Sequence, residues 1–322
     1  MIRDVATTSS AADHDPGSRW STAARWFDAA SAGTVPADDR IDWIRCLPFI
    51  GIHLLCLGVW WTGVSAVALL VAVALYLARV FWVTAFYHRY FSHRTFKTSR
   101  AFQFVMAVCG NLAVQRGAIW WAAHHRHHHL HSEEVPDLHS PVQHGFWRSH
   151  LGWFMTTAGF RTQTRYVRDW MRYPELRWLD RFDWVVPACL IAGLWTLGWY
   201  LERRAPGLGT SPAQMVVWGF AVSTVAVYHI TYTINSVAHR FGRRRFATGD
   251  DSRNNALLAL LTMGEGWHNN HHHYPASARQ GFYWWEIDLT YYGLVALSWL
   301  GLIWDLRPVP AHVLARNRID GA

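Results

Sequence analysis

Trp120-Trp121-Ala122-Ala123-His124-His125-Arg126-His127-His128-His129-Leu130-His131 is the stretch from which the rest of the chain is read. Six of its twelve residues are imidazoles. Histidine is the commonest metal-ligand side chain, and neutral imidazole suits iron, zinc, copper and nickel. On a helix, residues three and four apart share a face. His125, His128 and His129 then form one cluster, and His124, His127 and His128 form another of the same shape. A single cluster fits a zinc site or a basic surface equally well, so partners elsewhere in the chain must decide.

The flanks of that stretch are greasy. Of the 322 residues 51% are hydrophobic and 15% aromatic, and 21 are tryptophan, a residue favoured at membrane interfaces. The net charge is +8, with Lys97 the only lysine. Beside long apolar runs that charge points to anionic lipid or an anionic substrate rather than to nucleic acid. Cys46, Cys56, Cys109 and Cys189 are far apart and form no CxxC pair, so they read as packing thiols in a reducing compartment. The first forty residues hold no apolar core of the signal-peptide kind.

The fold expected is an all-α membrane protein: four transmembrane helices under a cytosolic helical cap that carries the histidines. The spans are expected at about 46–61, 64–86, 184–201 and 213–234, each near the roughly twenty residues a bilayer core needs. Residues 1–40 read as a disordered or interfacial tail, in which Trp20 to Phe27 forms a short amphipathic helix. Residues 41–307 form the membrane domain, with its cap at 88–183 and 239–307, and 308–322 a second tail. Ala101 to Val114 is apolar but too short to span. Arginines crowd 88–183 and the chain after 239, whereas the link Thr62-Gly63 has none and the 202–212 link has Arg203 and Arg204. By the positive-inside rule the cap and both termini face the cytoplasm. Every histidine motif then falls on one side of the membrane.

Four motifs gather there. His88 and His93 are five apart, about 140° on an α-helix, so they meet at one metal only if the helix ends or bends between them. His125, His128 and His129 are the second motif. Asn235 and His239 lie one turn apart where the fourth span ends. His268, His271 and His272 repeat the spacing of the second. Nine imidazoles exceed the six positions of an octahedral metal, so two metals are implied. The absence of thiolates disfavours structural zinc, and the absence of carboxylates disfavours calcium and magnesium. Two imidazole-bound redox metals at a membrane face suggest iron and dioxygen.

His88-Arg-Tyr-Phe-Ser-His93, His125-Arg-His-His128-His129, Asn235-Ser-Val-Ala-His239 and Gly264-Glu-Gly-Trp-His268-Asn-Asn-His271-His272 resemble, in order and spacing, the motifs of the membrane acyl-CoA (stearoyl-CoA-type) desaturases. The resemblance covers about residues 40–305. It implies a di-iron centre capping a bent acyl tunnel and O2-dependent formation of a cis double bond in a saturated acyl chain, with electrons supplied from outside. It implies His88, His93, His125, His128, His129, His239, His268, His271 and His272 as iron ligands, with Asn235 acting through a water. His124, His127, His131 and His273 are then not ligands. Glu133, Asp137 and Glu265 are the nearest carboxylates in sequence and are expected to orient the rings.

Trp121 and Tyr232 are expected at the substrate, Tyr232 standing where the family has tryptophan. Ala72 and Tyr76, three to four turns before His88, are expected to close the tunnel. An acidic residue that helps hold CoA in animal members is His124 here, which leaves a phospholipid or carrier-protein ester as alternatives to acyl-CoA. No fused haem domain is expected, so a separate donor resembling a ferredoxin, a rubredoxin or a b-type cytochrome would dock, with Arg165–Arg181 and Arg243–Arg245 as candidate surfaces. His53 and His229 read as packing residues, and His139, His144 and His150 as supporting or surface residues. Two other functions fit parts of the pattern. One is a membrane di-iron acyl or alkane hydroxylase, which differs in its product. The other is a non-enzymatic metal-binding protein, which predicts ionisable residues along the spans.

Overall fold

A computed structural model describes residues 19–34 and 36–319; the expected tail over 1–18 and residues 320–322 lie outside them. A short helix, α1 (Arg19–Phe27), forms where one was expected, and the chain just after it is tied down. The Arg181 guanidinium donates to both carboxylate oxygens of Asp28, and Trp184 Nε1 donates to the Phe27 carbonyl at 2.9 Å.

Four helices are long and apolar enough to cross a membrane: α2 (Trp43–Thr62), α3 (Ala66–Ser92), and after the cap α7 (Val185–Arg204) and α8 (Pro212–Ser236). Asp42 caps α2 by accepting from the Arg45 backbone N–H. Gly63, at φ 66°, makes the turn into α3, whose N-cap Ser65 accepts from the Ala68 N–H. Arg79, the one charge inside the second apolar run, is fully buried. It donates to Thr224 Oγ1 at 2.6 Å, the Gly219 carbonyl at 3.0 Å and Ser223 Oγ, so a charge at bilayer depth becomes a pin between α3 and α8.

The second span continues beyond the expected end at Phe86. From Val83 to Ser92 the helix widens to π form, and all ten residues are buried. The His93 N–H donates to the His88 carbonyl at 3.3 Å, the i→i+5 bond of that form. The separation expected of an α-helix is thus removed by widening, with the helix ending at His93.

The cap begins with α4 (Arg100–Asn111), the short apolar helix, and α5 (Ala118–His131), the histidine stretch. α6 (Pro174–Arg181) packs Leu176 and Leu179 into a core with Tyr87, Phe91, Met106, Ile119 and Trp170. After α8 come α9 (Ala256–Leu261), α10 (His268–His273) and α11 (Leu289–Trp299). Two short antiparallel strands, Lys97–Thr98 and Ile303–Trp304, join the start of the cap to its end. Both inter-span links, 63–65 and 205–211, lie opposite the cap, so the ends of α3 and α8 that carry His88, His93 and Asn235 meet under α5 and α10.

Candidate metal centre

Each histidine-bearing element is held by polar bonds that leave its rings free. α5 starts at Gly117, which has no capping side chain; Asp180 of α6 reaches across and accepts from the Trp120 N–H at 2.8 Å. Arg126, within the histidine stretch, donates to the Ser92 and Phe91 carbonyls at 2.9 and 2.8 Å and to Asp169. That bond set fixes α5 against the end of α3. In α10, Asn269 Oδ1 accepts from the Arg245 and Phe246 N–H groups, and Asn270 Nδ2 donates to Glu286. Gly264, at φ 128°, lets the backbone pass beside the Asp288 carboxylate, which a Cβ would strike.

These elements bring the nine histidines into two groups. His88, His93, His125, His129 and His271 form one, and His128, His239, His268 and His272 the other; within each, one donor atom per residue lies within 4.8 Å of the rest. In the first, Nε2 atoms pair at 2.8 Å (His93 and His125), 3.0 Å (His88 and His271) and 2.9 Å (His271 and His129). In the second, His239 and His268 pair at 3.0 Å.

Tautomers follow from the other ring nitrogen. An ionised carboxylate only accepts, so a ring nitrogen bonded to one carries the proton. His239 Nδ1 donates to Glu133 at 3.0 Å, His128 Nδ1 to Asp137 at 2.9 Å, His272 Nδ1 to Asp250 at 2.5 Å, and His88 Nδ1 to Glu265. When neutral, each of these four rings leaves its Nε2 as a bare lone pair. His128, His239 and His272 belong to one group whose donor atoms lie within 4.8 Å of one another, an arrangement that suits a shared cation. Two nitrogens about 2.1 Å from one metal, at right angles, lie about 3.0 Å apart. Spacings of this order, with every donor of a group within 4.8 Å of the rest, suit a metal ion held by several imidazoles.

The titration of the rings agrees. Burial, and then the field of neighbouring imidazoles, holds His93, His125, His129, His268 and His271 well below the ordinary histidine value. Burial pushes His272 down to about 4, against the pull of Asp250. Although burial opposes it, His128 and His139 hold the Asp137 carboxyl well below its usual range, as His272 does for Asp250. These six rings are thus neutral and both carboxylates charged at pH 7, as metal binding requires, whereas, against the effect of burial, Asp137 raises His128 above the ordinary value.

The other histidines are engaged elsewhere. His124 bonds the Arg161 carbonyl, His131 bonds Glu134, and His273 bonds the Val313 carbonyl. His127 packs at a tilt against Tyr166, and His144 is exposed. His139 shares Asp137 with His128. His53, His229, His150 and Ser236 form a hydrogen-bonded chain beside α8. Glu133, Asp137 and Glu265 stand where sequence proximity suggested. Asp250 was not foreseen, nor was the brace behind Glu265, in which Arg89 grips Asp288 with two bonds and Gln280 touches both Glu265 and His88. Asn235 offers its carbonyl to Ser149 and lines the cavity next to these groups.

That cavity is about 440 Å³ and mostly apolar, with His88, His125, His128 and His268 at one end. Trp121 and Tyr232 line it. Ala72 and Tyr76, expected to close the tunnel, are not part of its wall. The Tyr76 hydroxyl donates to the Leu261 carbonyl at 2.9 Å, and its ring packs against Val80, Val83 and Val227, one turn short of the lining on the same face of α3. The cavity instead crosses α3 at Val80 and Val83 and reaches Ile52, Ile191 and Phe220 among the other spans.

A family model described as fatty acid desaturase matches residues 58–300. The chain is 36% identical over 306 residues to an acyl-CoA 5-desaturase of Anemone leveillei, covering 90% of each chain. It is 36% identical over 272 residues to the sn-1 stearoyl-lipid 9-desaturase of Anabaena variabilis, covering 83% of this chain and 94% of that one. It is 34% identical over 268 residues to the sn-2 palmitoyl-lipid 9-desaturase of Nostoc sp. (strain 36), covering 82% and 89%.

Proposed function

Since the chain belongs to the fatty acid desaturase family, we propose that it inserts a cis double bond into a saturated acyl chain, carried as acyl-CoA or as acyl-lipid, at a di-iron centre. The balance is R–CH2–CH2–R′ + O2 + 2 e− + 2 H+ → R–CH=CH–R′ + 2 H2O. The observation that carries this reading is the pair of histidine groups at the inner end of an apolar cavity.

The nine grouped histidines would hold two irons, with Asn235 acting through a water. Bound iron supplies the oxidant, drawn from O2, that an unactivated C–H bond needs and no side chain provides. The chain's own residues do the rest. Glu133, Asp137, Asp250 and Glu265 hold the Nδ1 protons and so aim the Nε2 atoms inward. Trp121, Tyr232, Val80 and Val83 form a wall along which an extended acyl chain lies, and they exclude water from it. The double-bond position is then the distance from the closed end of the cavity to the histidines.

Electrons come from a separate donor of the ferredoxin, rubredoxin or b-type cytochrome kind, docking on the arginine-rich cap at Arg165–Arg181 or Arg243–Arg245. The arginine distribution favours a cap in the cytoplasm. Expression in a host that lacks a desaturase of its own, followed by mass spectrometry of total fatty acids, tests the function. New monounsaturated chains, with about two irons per purified chain, are expected. Hydroxylated chains without monoenes would refute it.

A further inference from the structure

We propose that the cavity opens sideways into the bilayer between α2 and α7, and that its substrate is the acyl chain of a phosphate-bearing membrane lipid. This rests on the desaturase reading and narrows the carrier it leaves open.

The lining includes one strip from each of two spans. Cys46, Pro48, Phe49 and Ile52 come from α2, and Trp184, Pro187, Ala188 and Ile191 come from the start of α7. Pro48 and Ala188 line the cavity and are also exposed on the outer face of the bundle. A residue that does both marks an edge of an opening. Between Trp184 and Ile191 the helix rises about 10 Å, so the opening begins at the interface and continues down inside the apolar depth of the spans. Its wall is low at Pro48 and Ala188, which are both small and exposed.

The rim matches a lipid at that depth. Trp26 and Trp184 are 38% and 40% exposed beside the opening, where indole rings suit a membrane interface. Behind them, Arg25, Arg45 and Arg116 line the cavity, with Asp183 the carboxylate among them. Arg45 is spent inside the protein on Asp42, the Arg25 carbonyl and Ser31. Among the described residues Arg25 has only an ion pair with Asp42, at 3.9 Å and beyond hydrogen-bond reach. Arg116 gives only its Nε to Asp183, at 2.6 Å, and its remaining N–H groups have no hydrogen-bond partner among the described residues. Two guanidiniums with spare donors, at the interface end of a slot open to the hydrocarbon, suit a phosphodiester headgroup whose chain never leaves the membrane. The phosphates of CoA offer the same oxygens, but a soluble thioester has no need of a slot along the lipid-facing side.

The test uses the iron-loaded full chain in nanodiscs of diphytanyl ether phosphatidylglycerol, whose branched chains are inert, with a reduced donor and O2. One arm adds distearoylphosphatidylglycerol to the discs; the other supplies octadecanoyl-CoA from solution. Monoene in the phospholipid, formed at least tenfold faster than in the CoA ester, is expected. Ala188→Trp, which fills the opening, should lower the phospholipid rate at least tenfold with iron content unchanged. Arg25→Ala should raise KM for the phospholipid severalfold and spare kcat. Faster product in the CoA arm overturns the lipid proposal and leaves the desaturase reading intact. An unchanged phospholipid rate in Ala188→Trp overturns the opening. Product in neither arm, with iron that O2 reoxidises, overturns both readings.

Discussion

Asp250 shows how a single carboxylate sets a ring that sequence spacing never connects to it. It precedes His272 by 22 residues and accepts from His272 Nδ1 at 2.5 Å. Its other oxygen is held by the Ser252 N–H and hydroxyl. Removing the carboxylate in Asp250→Ala frees the ring to rotate and to change tautomer. Iron affinity should fall about 10- to 100-fold, the usual range for such partners, measured as iron retained against a chelator, while Asp250→Glu should recover part of it. That the nine histidines would gather was legible because a shared metal site would restrict both residue type and helical spacing. Asp250 was not, because any acidic residue in a folded-back turn can do its work. Tyr76 shares the face of α3 that carries Val80 and Val83 but lies a turn beyond them, and sequence spacing does not say where along that face the cavity stops. Phe220 is the lining residue farthest along α8 from Asn235, so Phe220→Ala should lengthen the preferred acyl chain, read as a changed product profile. Tyr76→Phe should leave that profile unchanged; a shift there would restore the tunnel end first expected.

At the level of elements, the histidine positions depend on how helices start and how they end. The four spans were visible as apolar runs, but the π-widened end of α3 was not, because its bonds are backbone bonds and leave no compositional mark. Its consequence is chemical: it puts His88 and His93 ring to ring, centroids 5.0 Å apart, where α-helical turns would part them. The start of α5 is equally dependent on a neighbour. A Cβ on Gly117 would run into the Asp180 backbone and carboxylate, and Asp180 is what satisfies the Trp120 N–H. Gly117→Ala should therefore lower stability by about 1–3 kcal/mol, from overpacking, seen as a lower thermal midpoint in detergent. Asp180→Ala, which loses only the cap, should fall within about 0.5–2 kcal/mol. Equal stability of Gly117→Ala and the parent would mean that α5 is not seated on α6 as described.

Across the whole molecule, one end of a greasy bundle carries nine largely buried imidazoles, and the fold holds six of them neutral. Positive charge there is opposed by low dielectric and by the rings' own proximity. His93, His125, His129, His268, His271 and His272 all lie in the cap, and all titrate below 6.5 when folded, His272 at about 4. In the unfolded chain they return to about 6.5. Above that pH both states are neutral, so stability is flat. Below it the unfolded chain binds protons that the folded chain refuses, and stability is lost as pH falls toward 4. Each such ring contributes up to about 1.4 kcal/mol per pH unit in that window. The metal-stripped protein should thus hold a constant thermal midpoint between pH 8 and 7 and lose it steeply from about 6.5 downward. Iron should raise the midpoint at pH 7 and leave the protein over the same acid window, because protons and metal compete for the same Nε2 atoms. A midpoint independent of pH from 7 to 5 would mean that these rings are solvated, and the two-group arrangement would fall with it.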